Sequence, residues 1–166
     1  MFKKIVLFAL LALPAVVFAQ EQKIAYVNYG DVVTAMPEYK QMQDSLNKSA
    51  NEFQAELKTM SDEYTKKLSD YVTQQDSLNE SIKLRRQEEL QNLQQRAENF
   101  QQYASQKQDE MQQRLSVPIQ DKLQKATNDV GKENNFLYII DFQALRYESP
   151  SAVDATPLIK KKLGIQ

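Results

Sequence analysis

The chain of 166 residues carries 21 Lys and Arg against 22 Asp and Glu, so it lacks the basic excess that holds nucleic acid by its phosphates. It contains no histidine and no cysteine, which removes Ser/His/Asp and Cys/His nucleophilic machinery and the usual zinc and iron ligand sets. Three glycines and five prolines leave few breakers, so long uninterrupted elements are expected.

In chain order the first segment has the features of an export signal. Met1 to Lys4 is positive, Ile5 to Phe18 is apolar but short for a membrane span, and Val17-Phe18-Ala19 puts small residues where a signal peptidase cuts. Cleavage is placed between Ala19 and Gln20. The competing reading is an uncleaved anchor, which Pro14 and the small-residue exit disfavour. The mature chain, about 147 residues, carries 19 basic and 22 acidic side chains and fits one domain.

Ile24-Ala25-Tyr26-Val27-Asn28-Tyr29 follows, short and rich in branched and aromatic residues, and predicts a strand. From Tyr39 the apolar residues recur at Met42, Leu46, Ala50, Phe53, Leu57, Met60, Tyr64, Leu68 and Tyr71, in steps of three or four that predict one helical stripe. A second stripe runs through Leu78, Ile82, Leu90, Leu93, Ala97, Phe100, Ala104, Met111, Leu115, Ile119, Leu123, Ala126 and Val130. Both have the period of a coiled coil.

Between the stripes lies Gln74-Gln75-Asp76-Ser77, and Ser77-Leu78-Asn79-Glu80 matches a capping box, with Ser77 as N-cap and Glu80 reaching back. A hairpin tip at 74–79, around Asp76, Ser77 and Glu80, is therefore expected. One continuous helix is the alternative, since no glycine or proline enforces a break. Folding the chain there brings Tyr64 near Leu90, Leu57 near Ala97, and Phe53 near Phe100 or Ala104. Pro118 predicts a kink or restart of the return arm, because proline removes a hydrogen bond and clashes with the preceding turn. Gly131 to Asn135 closes the helical region. Phe136-Leu137-Tyr138-Ile139-Ile140-Asp141 predicts a second strand, and Thr156 as N-cap, Pro157 and Gly164 bracket a short terminal helix.

The expected fold class is thus α+β, mostly α. A long antiparallel hairpin over 38–133, bent near 118, stands on a small β-body built from 20–37 and 134–166, after a cleaved signal over 1–19. Two or three short strands bury little surface, so the body needs other subunits.

Carboxylates are plentiful on the arms, and Glu88 and Glu89 with Glu52 and Glu56 are the candidates for an acid pair or a metal cluster. Their interleaving with Lys and Arg marks a solvated helix face instead. No catalytic residue, metal or cofactor is expected, and the chain is not expected to be an enzyme. Lys83, Arg85 and Arg86 near the tip are candidates for contact with anionic lipid or lipopolysaccharide, as are Lys160, Lys161 and Lys162. Val72 and Tyr103, off the main stripes, are candidates for contact with apolar segments of another protein. Asp44-Ser45-Leu46 and Asp76-Ser77-Leu78 match a three-residue O-glycosylation signal that some Gram-negative bacteria use in exported proteins, although a helix surface and a cap explain both.

The order of parts now matters: Lys23-Ile24-Ala25-Tyr26-Val27-Asn28, the hairpin, Leu137-Tyr138-Ile139-Ile140-Asp141, Tyr147-Glu148-Ser149-Pro150, then Val153-Asp154-Ala155-Thr156 before a short helix. This order resembles the Skp/OmpH family of periplasmic chaperones over essentially the whole mature chain. The resemblance implies a periplasmic homotrimer whose strands, with Ile24, Tyr26, Val27, Leu137, Ile139 and Ile140, build a shared body. Three hairpins would surround a cavity that holds unfolded outer-membrane proteins without ATP; Gly-x-x-x-x-Gly-Lys is absent. A fixed structural or adaptor coiled coil of the cell envelope is the alternative. One departure stands out, because the family's better-known members have basic tentacles. Residues 38–133 here carry 14 basic and 17 acidic side chains, which predicts client binding with little dependence on salt.

Overall fold

The computed structural model describes residues 23–165. The export signal and its cleavage point between Ala19 and Gln20 lie outside the described residues. β1 (Lys23–Val27) leads into α1 (Tyr29–Ala35), α2 (Pro37–Gln74), a 3-10 turn (Gln75–Ser77) and α3 (Glu80–Glu133). The chain returns through β2 (Phe136–Asp141), a second 3-10 turn (Phe142–Ala144), β3 (Val153–Asp154) and α4 (Thr156–Leu163).

Side chains set the breaks between elements. Asn28 ends β1 because its side chain accepts from Asp31 N at 3.2 Å and caps α1. The strand is therefore shorter than 24–29, and Tyr29 begins a helix. Met36 is extended, as the residue before a proline prefers, and Pro37 opens α2 where its missing N–H costs nothing. At about 1.5 Å per residue, the 38 residues of α2 span about 57 Å and the 54 of α3 about 81 Å.

The turn between the arms is made differently from the expected capping box. Asn79, not Ser77, is the N-cap of α3, accepting from Ile82 N at 3.0 Å. Ser77 instead donates to Gln74 O at 2.8 Å and closes the 3-10 turn. Leu78 is extended, so the helix cannot start at Ser77. Nor does the return arm restart at Pro118. α3 runs unbroken through it, with Pro118 inside. One lost hydrogen bond is offset by packing, since neighbouring Ile119 is 5% exposed and joins Met36 and Met42 in a core cluster at the base of the hairpin.

The sheet is parallel, in the order β2-β1-β3. Ile24, Ala25, Tyr26 and Val27 oppose Tyr138, Ile139, Ile140 and Asp141. Ala25 and Val27 turn inward onto Val32, Ala126, Val130, Ala155 and Ile159, which form the main core with α1, the end of α3 and α4. α4 is not capped by Thr156 as the sequence suggests. Ala155 is its N-cap, and the Thr156 hydroxyl accepts from Asn28 N at 3.0 Å, tying the two ends of the chain together. Gly164 ends α4 in the left-handed region at φ 73°, where the following Ile165 N donates to Lys160 O.

Candidate functional site: an uncovered sheet face and a helical arm

Strand alternation divides the residues expected in the body into two groups. Val27, fully buried, and half-buried Ile139 pack into this chain's own core. Ile24 faces away and is 51% exposed, and Leu137, unpaired at the register shift between Lys23 and Ile24, is 46% exposed. Tyr26 and Ile140, opposite one another in the register, are half-buried. Tyr138 is 60% exposed, and the Phe142 ring lies 5.6 Å from that of Tyr26. Tyr147 is 79% exposed on the following loop. Helices thus cover one face of the sheet and leave the other apolar and open. The Tyr26 hydroxyl is pushed up to about 12, first by its hydrogen bond to Glu148, then by partial burial and the charge of Asp154.

The second surface lies midway along the hairpin. Phe53 of α2 meets Phe100 and Tyr103 of α3 edge-on, with centroids 5.9 and 6.3 Å apart. Half of Tyr103 is exposed, and Lys107 Nζ lies 5.8 Å from its ring while pairing with Glu110 at 2.6 Å. Phe53, Tyr103, Lys107, Glu110, Met111 and Arg114 line a groove of about 290 Å³. An aromatic floor with charges of both signs can take apolar side chains of varied form.

Near the tip, Val72 is 55% exposed. The basic residues there are interleaved with carboxylates: Lys83 pairs with Glu80 at 3.1 Å and Arg86 with Glu89 at 3.5 Å. Arg85 shares a shallow groove with Glu63, Glu88 and Arg96. Lys67 also pairs with Glu89 across the arms, and that hydrogen bond holds the Glu89 carboxyl below the usual range. A depressed carboxyl is the opposite of what a general acid needs. Lys162 of α4 pairs with Glu133 of α3, leaving Lys160 and Lys161 outside any ion pair among the described residues. Among the same residues no His, Cys, Asp or Glu cluster could hold a metal ion, and no helix is long and apolar enough to cross a membrane.

The family model described as "Outer membrane protein (OmpH-like)" matches residues 23–163. The chain belongs to the OmpH family. Its fold is similar to that of a candidate OmpH-like outer membrane chaperone from Caulobacter crescentus, with a TM-score of 0.75 at 13% identity over 84% of this chain and 82% of that one. No curated protein matches the chain.

Within the OmpH frame, the sequence left several surface residues unmarked. Tyr138 belongs to the open sheet face, where Phe142 packs on Tyr26, Tyr147 is exposed on the loop after it, and Leu84 and Val117 are exposed at 58% and 53% on the return arm. Alternation across Phe136–Asp141 was the available signal for Tyr138. Which of the two faces the helices cover is a tertiary fact that alternation does not carry.

Proposed function

We propose that this protein is an ATP-independent holding chaperone of the periplasm, which binds unfolded outer-membrane proteins between helical arms and keeps them from aggregating. Three copies join through the open sheet face, and their hairpins enclose the client. The observation that carries this reading is the pairing of an uncovered apolar sheet face with a hairpin tens of ångströms long that packs mainly on itself. A sheet face of this kind wants a partner, and a hairpin free of a globular load is available to a client. Membership of the OmpH family supports the same reading.

The grip comes from many weak contacts. The aromatic groove at Phe53 and Tyr103, together with Val72, offers apolar contact, and three arms multiply it by avidity. The charges near Lys83, Arg85 and Arg86 are neutralised locally and give no strong field for acidic clients or for lipopolysaccharide. Nothing in this cycle requires nucleotide, because the client leaves when it folds elsewhere.

The chain has no tryptophan, so the tryptophan fluorescence of an unfolded outer-membrane β-barrel reports on the client alone. Titrating the mature protein into such a client is expected to give saturable binding. Affinity should weaken less than about tenfold between low and high salt, because few net charges are neutralised. A steeper loss would mean that charge drives capture. No spectral change at excess would remove the chaperone reading.

A further inference from the structure

The tripeptide Asp-Ser-Leu occurs twice, on two different backbones. In α2, Asp44 and Ser45 face solvent while Leu46 packs against the Met36, Met42 and Ile119 cluster, because successive helix side chains point about 100° apart. The Leu46 carbonyl also accepts from Gln108 Nε2 of the other arm at 3.2 Å. An enzyme reading all three side chains together would have to unwind α2 and open the seam. At the tip the same three residues are presented differently. Asp76 and Ser77 are exposed in a single 3-10 turn, and Leu78 is extended and outside both core clusters. The one hydrogen bond from the Ser77 hydroxyl goes to Gln74 O, an exposed carbonyl at the end of α2 that water can satisfy.

We propose that Ser77 is a glycosylation site and that Ser45 is not. The donor is a sugar activated at its anomeric carbon as a diphosphate. Ser77 Oγ attacks that carbon, the new C–O bond forms as the bond to the diphosphate oxygen breaks, and the diphosphate leaves with the electron pair. The serine proton passes to a base of the transferase. The glycan then projects from the far end of the hairpin, away from the sheet face and the aromatic groove, where it adds polar bulk without touching either surface. This inference goes beyond the chaperone reading and uses only its assumption of export.

The test is the intact mass of the full-length gene product purified from the cell that naturally makes it. Wild type should exceed the mass of the chain from Gln20 to Gln166 by a whole number of sugar residues. Ser77→Ala and Asp76→Asn should lose the entire gain, whereas Ser45→Ala and Ser77→Thr keep it, all with unchanged helix content by circular dichroism. A wild-type mass equal to the bare chain, a gain that survives Ser77→Ala, a gain lost only in Ser45→Ala, or a gain of phosphate would each overturn the assignment. The same spectrum shows whether the chain begins at Gln20, so a failure of export processing is distinguishable from a failure at Ser77.

Discussion

Changing Ile24 and Tyr138 together to aspartate is expected to reduce the proposed trimer to single chains in solution. The two residues oppose each other across β1 and β2 on the open face, 51% and 60% exposed, so the isolated chain accommodates both charges in water. An assembly that buries this face cannot do so. Each unpaired charge taken out of water costs several kcal/mol, and three copies bear that cost at once. Ala25 and Val27 on the opposite face are untouched, so helix content should remain near wild type by circular dichroism. Light scattering reads the outcome as a threefold fall in mass. A variant that keeps the wild-type trimer mass would show that subunits join elsewhere, and a wild type that is monomeric would remove the assembly altogether.

The second large effect is expected at Leu93→Asp. Leu93 is 6% exposed in the outer half of the hairpin, beside Glu63 and Glu89. The substitution removes a buried leucine, worth about 3 kcal/mol, and puts a charged group at a buried position of the seam. The arms meet chiefly each other there, so the damage stays local. Amide exchange over residues 57–97 should accelerate by a hundredfold or more, while exchange at Val27 and Ile159 in the body keeps its wild-type rate. Leu93→Met, which conserves volume, should cost less than about 1.5 kcal/mol. Unchanged exchange in the arms of Leu93→Asp would mean that the seam does not hold them.

Much of this fold is legible in the sequence because its main elements are long. Steps of three and four from Tyr39 onward specify a helical stripe whatever the neighbours do, and folding at the polar break sets Phe53 against Phe100, whose rings do meet. Short elements depend on tertiary contacts and are harder to see. α1 has seven residues and β3 two, and each is fixed by partners distant in sequence: Val32 in the core, Val153 and Asp154 beside Ala25 and Tyr26. Residue type and local spacing, Ser77 with Glu80 and Thr156 before Pro157, make these two look like caps. Asn79 accepts from Ile82 N and starts α3 two residues after Ser77, and Asp154 accepts from Thr156 N at 2.8 Å just before α4. The Thr156 hydroxyl accepts from Asn28 N instead of from its own helix. At Pro118 the stripe itself continues through Leu115, Ile119 and Leu123, and the helix runs on through the proline with Ile119 buried beside it.

The surfaces were less legible than the core. Val72 and Tyr103 stood out because they fall off the stripes, and both are half exposed. The basic residues near the tip stood out by charge, yet Lys83 and Arg86 find carboxylates three residues away on their own helix. A cluster counted along the chain loses its field when its counter-charges share the same face. That is the physical reason to place the grip in the aromatic groove and in avidity rather than in charge.

The central claim, that this protein holds unfolded outer-membrane proteins, is tested most directly by light scattering from a urea-unfolded outer-membrane β-barrel diluted into buffer with and without the mature protein. The account predicts that scattering is suppressed without nucleotide at about one trimer per client. Undiminished aggregation in the presence of excess protein would contradict it.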